Sequence, residues 1–148
     1  MASLPDATVI AFDFGTRRIG VAIGNTLVGV ARPLVTIEGD SLATAMAAIG
    51  VLIDEWKPEQ LVVGLPTHAD GTPHAMTAQT NAFVTALSAR FRLPVATVDE
   101  RWTTELAQDM LNETKRGRRG RAERDQIAAQ IILQAWLDDP RERNPRHS

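Results

Sequence analysis

The chain has 148 residues, 44% of them hydrophobic and 23% charged, and a formal net charge of −2. That length and balance suit one globular domain able to bury a core of its own. The lack of cysteine excludes disulfides, thiolate metal sites and a thiol nucleophile, and no run is long and apolar enough to span a bilayer.

Residues 1–12, MASLPDATVIAF, have neither the basic start nor the long apolar stretch of a signal peptide, so a cytoplasmic protein is expected. Residues 9–14, VIAFDF, read as a strand. Its period of two puts Val9, Ala11 and Asp13 on one face and Ile10, Phe12 and Phe14 on the other. Both faces look buried, so an ionised Asp13 needs a cation or donors to meet it. A buried pair with Arg17, Arg18 or Arg101 would serve, and so would a metal ion.

A GTRR turn, with Gly15 to relax the backbone, leads into a second strand at residues 19–24. There Ile19, Val21 and Ile23 share one face, while Gly20, Ala22 and Gly24 leave the other unusually small. Residues 33–37 extend the meander. Asp40 or Ser41 then caps a helix with an apolar stripe of Leu42, Ala45, Met46, Ile49, Ile53 and Trp56, ended by Pro58.

A short buried strand is expected at 60–66 and a turn-rich loop at 67–74, where His68 and His74 read as loop residues. A helix at 75–91 carries Phe83, Leu87 and Phe91 on one side, and Leu93-Pro94 breaks it. A strand at 95–101 ends in charge, and Thr103 or Thr104 caps a helix to about residue 112. A last helix runs from about 123 to 137, with Trp136, like Trp56, placed in the core. Residues 140–148 form a loose tail behind a single domain at 1–139. The order predicts an α/β fold: a mixed sheet with an antiparallel three-strand opening and helices on both faces.

Three acidic positions end or begin elements in this layout: Asp13, the pair Asp99-Glu100, and Asp125. Functional crevices of open α/β sheets lie beyond the carboxyl ends of strands, where these positions could converge. Oxygen ligands without Cys or paired His suit Mg²⁺ or Mn²⁺ better than Zn²⁺. Each position also has a plain structural alternative. Asp125 would be favoured by the helix dipole in a first turn, and Asp99-Glu100 could be a solvated strand end.

Residues 115–124, KRGRRGRAER, hold six basic residues and one acidic one, a net +5 that leaves −7 on the rest of the chain. Such a run is either a solvated loop or a phosphate-backbone contact through Lys115, Arg116, Arg118, Arg119 and Arg121. Trp102, beside the charged DER, is available to stack on a base.

Taken together, FDFGTRRIGVA, VVGLP followed by DGT, VDERWTT and RDQIAAQIILQAWL resemble the YqgF family, also called RuvX, of pre-16S rRNA nucleases and Holliday junction resolvase-like proteins. The likeness runs from about residue 9 to 138 with the motifs in family order. It implies a ribonuclease H-like fold whose acidic residues bind divalent metal for phosphodiester hydrolysis. On this resemblance the catalytic and metal-binding residues are Asp13, Glu100 and Asp125, with Asp13 bridging two ions, and the small face of Gly20, Ala22 and Gly24 would leave room for a nucleic-acid backbone. Gly15, Thr16, Asp99 and Arg101 support them. The family's frequent lysine before the last aspartate falls near Lys115, and the commonly apolar residue just ahead of that aspartate is Arg124 here.

The expected substrate is nucleic acid, with pre-rRNA ahead of branched DNA, handled by a monomer or weak homodimer away from membranes. Holliday junction resolution and a non-catalytic RNA-binding role in ribosome assembly are the alternatives. A phosphotransferase of the sugar kinase and actin type also uses a DxGT hairpin, matched by Asp13, Gly15 and Thr16. It needs two such domains, and 148 residues supply one.

Overall fold

A computed structural model describes residues 7–39, 41–65, 76–99 and 120–139. The expected loop at 67–74, the helix ending near 112 and the tail at 140–148 lie outside them. The elements are β1 (Thr8–Asp13), β2 (Arg18–Asn25), β3 (Ala31–Glu38), α1 (Leu42–Trp56), β4 (Gln60–Leu65), α2 (Thr77–Phe91), β5 (Val95–Asp99) and α3 (Arg121–Asp138). They form one five-stranded sheet ordered β3-β2-β1-β4-β5. The first three strands are antiparallel, and β4 and β5 run parallel to β1. The mixed sheet with an antiparallel opening is as expected.

Local chemistry accounts for the element ends. The Ser41 hydroxyl accepts the Thr44 backbone N–H at 3.1 Å and caps α1. Lys57 closes that helix in the left-handed region (φ 49°), and Pro58 prevents continuation. Pro33 is tolerated because β3 is an edge strand.

The period-two reading of β1 holds on both faces. Ile10 and Phe12 join Ile49 of α1 and Phe83 and Leu87 of α2 in one core, where the Phe12 and Phe83 rings meet edge-on at 5.8 Å. Val9 and Ala11 face the other way, into a core with Ala129, Ile132, Leu133 and Trp136 of α3. Trp136 is buried there, whereas Trp56 packs on the first core from its rim. Helices therefore cover both faces of the sheet.

The small face of β2 has a different use from the one expected. Ala22 is buried in the α3 core, and a side-chain carbon on Gly24 would come within about 3.1–3.3 Å of Leu133 and Leu137. The room left by Gly20, Ala22 and Gly24 is taken by α3 and not by a nucleic-acid backbone. The same helix secures the edge strand. The Gln134 side chain accepts the Ala31 N–H at 2.9 Å, and the Gln130 amide donates to the Ala31 carbonyl at 3.1 Å. Both backbone polar groups of Ala31, at the start of that strand, are thereby satisfied. No helix among the described residues is long and apolar enough to cross a membrane.

Candidate active site

The site begins with the tight link between β1 and β2. A side-chain carbon at Gly15 would lie 2.6 Å from the Arg18 carbonyl oxygen, so the turn closes only with glycine there. The Arg17 carbonyl accepts the Gly39 N–H at 3.1 Å, which ties the end of β3 to this turn. Asp13 stands opposite Gly20, and Gly20 stands opposite Thr36, making a row across β1, β2 and β3.

Helix α3 crosses this row with its second turn. At Gly20 an added methyl carbon would sit 1.9 Å from the Asp125 carbonyl oxygen and 3.0 Å from the Asp125 Cβ. Only a hydrogen at that position lets the helix come so close. Thr36 fastens the start of the helix: its hydroxyl donates to the Ala122 carbonyl at 2.5 Å and accepts from the Gln126 amide at 3.3 Å. Asp125 is thus held beside Gly20, the cross-strand partner of Asp13.

This placement disposes of the capping alternative for Asp125. The helix starts at Arg121, two residues before the expected position, with Gly120 as its N-cap. Glu123 serves the N-terminus instead, accepting the Gly120 N–H at 3.3 Å. Asp125 is the fifth helical residue, past the first turn, and it forms an ion pair with Arg18 (Nε–Oδ2 2.6 Å). Arg124 is only half-buried, so the family's apolar preference at that position is not enforced by a sealed core here.

Asp13, Phe14, Gly15, Thr16, Arg17, Arg18 and Asp125 line one depression of about 290 Å³. Asp13 is half-buried at the end of β1, less enclosed than the apolar residues around it in sequence suggest. Of the expected site residues, Asp13, Gly15, Thr16 and Asp125 therefore come together. Asp99 is not among the residues lining this depression. Val98 joins the α3 core with Val9 and Ala11, so strand alternation puts Asp99 on the face opposite Asp13. Glu100, Arg101, Lys115, Arg116, Arg118 and Arg119 lie outside the described residues. Arg121, expected just ahead of the last helix, is instead the first residue of α3.

The donors in the depression are hard oxygens, a set suited to Mg²⁺ or Mn²⁺. Among the described residues no three acidic or imidazole side chains gather, so two carboxylates are the part of such a set that these residues contribute. Arg18, Gly20, Thr36 and Gln126 escaped the sequence reading in these roles. Gly20 stood out as small, but nothing local named Asp125 as what fills the gap.

A model of the family described as "RuvX: Holliday junction resolvase" matches residues 7–139. The chain belongs to the RuvX family. A RuvX relative from Dechloromonas aromatica, provisionally named pre-16S rRNA nuclease, is 53% identical over 136 residues, covering 90% of this chain and 92% of that protein. One of the same name from Chromobacterium violaceum is 49% identical, covering 88% and 97%. Among solved structures, RuvC of T. thermophilus in complex with a Holliday junction substrate aligns with TM-score 0.59 at 14% identity, over 85% of this chain and 91% of that one. The yeast mitochondrial Holliday junction resolvase gives 0.59 at 10% identity, over 97% and 82%. These structural likenesses establish for this RuvX chain the ribonuclease H-like fold of the resolvases.

Proposed function

We propose that the chain is a divalent-metal-dependent nuclease that hydrolyses phosphodiester bonds of structured RNA, trimming precursor 16S rRNA in the cytoplasm. The observation that carries this reading is the seating of Asp125 on Gly20, which brings a helix-borne carboxylate to the strand end where Asp13 stands. Family membership and the names of the relatives supply the reaction and the substrate.

Asp13 and Asp125 would hold Mg²⁺ or Mn²⁺, with Glu100 as the proposed third ligand because Asp99 alternates onto the opposite face. When bound, the metal supplies Lewis-acid activation of water and stabilisation of the leaving oxygen. The protein's own contribution is positional. The β1–β2 ladder and the Thr36 anchor fix the two carboxylates on rigid elements, as in-line displacement requires. Gly15 and Thr16 shape the turn beside them.

Junction resolution is the second reading, favoured by the family description. The test is cleavage of a precursor 16S rRNA fragment and of a four-way DNA junction, each titrated with Mg²⁺ and Mn²⁺. Metal-dependent cut ends on the rRNA fragment alone support the proposal. Paired symmetric cuts on the junction, with a dimer in solution, support resolution. Tight RNA binding with no cleavage in either metal would leave a ribosome-assembly role.

The basic segment yields a separate expected result. If Arg116, Arg118, Arg119 and Arg121 contact phosphates, replacing all four with Gln should flatten the log–log salt dependence of binding. The slope should fall by about 3 for single strands and by up to about 4 for a duplex. Affinity should drop at low salt for every sequence tested, since phosphate contacts carry no base information. An unchanged slope on both RNA and junction would make the segment a solvated loop.

A further inference from the structure

We propose that Arg18 is an internal counter-cation that competes with the divalent ion for the Asp125 carboxylate, so that it sets the metal concentration at which the site fills. The proposal rests on reading Asp125 as a metal ligand. Its foundation is the 2.6 Å contact between Arg18 Nε and Asp125 Oδ2, a short charge-assisted bond between residues 107 apart in sequence. The guanidinium takes one lone pair of that oxygen, and its positive charge beside the carboxylate opposes the approach of a divalent ion.

The geometry makes the pair displaceable. It uses Nε alone and not the two-pronged fork that gives arginine–carboxylate pairs their greatest strength. Both side chains keep solvent contact, at 32% for Arg18 and 23% for Asp125, so opening the pair exposes no sealed charge. The backbones, in contrast, are held. Arg18 is the first residue of β2, registered against Glu38, with its carbonyl packed on Gly15. Asp125 is pinned by Gly20 and by the anchor of its helix on Thr36. Exchange of cations at Asp125 therefore requires a side-chain rotation only. Without metal, Arg18 offsets negative charge that would otherwise gather in the depression it shares with Asp13.

The experiment measures Mn²⁺ affinity by calorimetry and by electron paramagnetic resonance at fixed ionic strength. It compares the wild type with Arg18→Gln, Arg18→Lys, Arg17→Gln, Asp13→Asn and Asp125→Asn. Arg18→Gln should bind Mn²⁺ about fivefold more tightly, the value of a partly exposed ion pair removed from the competition. Arg18→Lys should fall between the two. Arg17 is exposed and lines the same depression, so Arg17→Gln controls for charge alone and should change affinity less than about twofold.

Mn²⁺ binding that is lost in Asp13→Asn and Asp125→Asn but unaltered or weakened in Arg18→Gln overturns the proposal; Arg18 would then orient the carboxylate. Equal gains in Arg17→Gln and Arg18→Gln overturn it too, in favour of diffuse electrostatics. Wild-type Mn²⁺ binding that ignores both aspartates would instead refute the metal site itself.

Discussion

Asp13→Asn is expected to yield a folded protein whose metal-dependent cleavage is lower by about a thousandfold or more, the scale of several kcal/mol of transition-state charge stabilisation. Asparagine keeps the shape of the side chain and leaves the β1–β2 ladder untouched, since Asp13 meets Gly20 through backbone register. What it removes is the anionic oxygen that would hold the cation. Because Asp13 is half-buried, the change in folding stability should stay within about 1 kcal/mol in either direction. Asp125→Asn should lose cleavage to a similar degree. It also gives up the pair with Arg18, which at this exposure is worth no more than about 1 kcal/mol. Single-turnover cleavage in saturating Mg²⁺, alongside thermal melts, checks both variants. Full turnover by folded Asp13→Asn protein would move the active site elsewhere.

Gly20→Ala should be the most damaging single-methyl change in the molecule's described part. The added carbon would stand 1.9 Å from a carbonyl oxygen and 2.3 Å from a carbonyl carbon of Asp125. Those atoms belong to a helix backbone and cannot rotate aside as a side chain would. Either α3 shifts outward or β2 distorts, and overpacking of this kind costs about 1–3 kcal/mol or more. A shift of about 1 Å at the carboxylate is enough to reduce turnover by about a hundredfold. The proper comparison is Gly50→Ala in α1, where the new carbon meets only the Phe91 ring at 3.6 Å. That variant should be neutral or more stable by up to about 1 kcal/mol, through helix propensity. Chemical denaturation and cleavage rates on the two variants separate the effect of a tight apposition from that of adding a methyl group. Equal behaviour would mean that the Gly20–Asp125 contact is not needed.

Much of the architecture follows from patterns short enough to read along the chain. Alternation at Val9–Asp13 assigned both faces of β1 correctly because side-chain direction in a strand depends only on parity. The stripe of α1 and its Ser41 cap depend on residues three or four apart, a range over which backbone hydrogen bonding is local. The start of α3 was harder. Arg121 and Arg124 belong to a basic run whose composition suggests solvent, and charge density masked the helical register that begins there.

What the sequence determined by itself was therefore, among the described residues, the set of strands and helices, their faces, and the position of Asp13 at a strand end. Family membership was legible too, because motifs in order specify a fold even where each is weak. The tertiary structure alone decided that the small face of β2 receives α3, that Gly20 admits the Asp125 backbone, and that Arg18 pairs with Asp125 and not with a neighbour in the turn. It also decided that Gln130 and Gln134 bind the backbone of Ala31 at the start of β3, across about a hundred residues of chain. Periodicity carries which way a side chain points; it does not carry what arrives from the far end of the chain to meet it. A small face can be filled by a helix or by a ligand, and only the docking of α3 chooses between them.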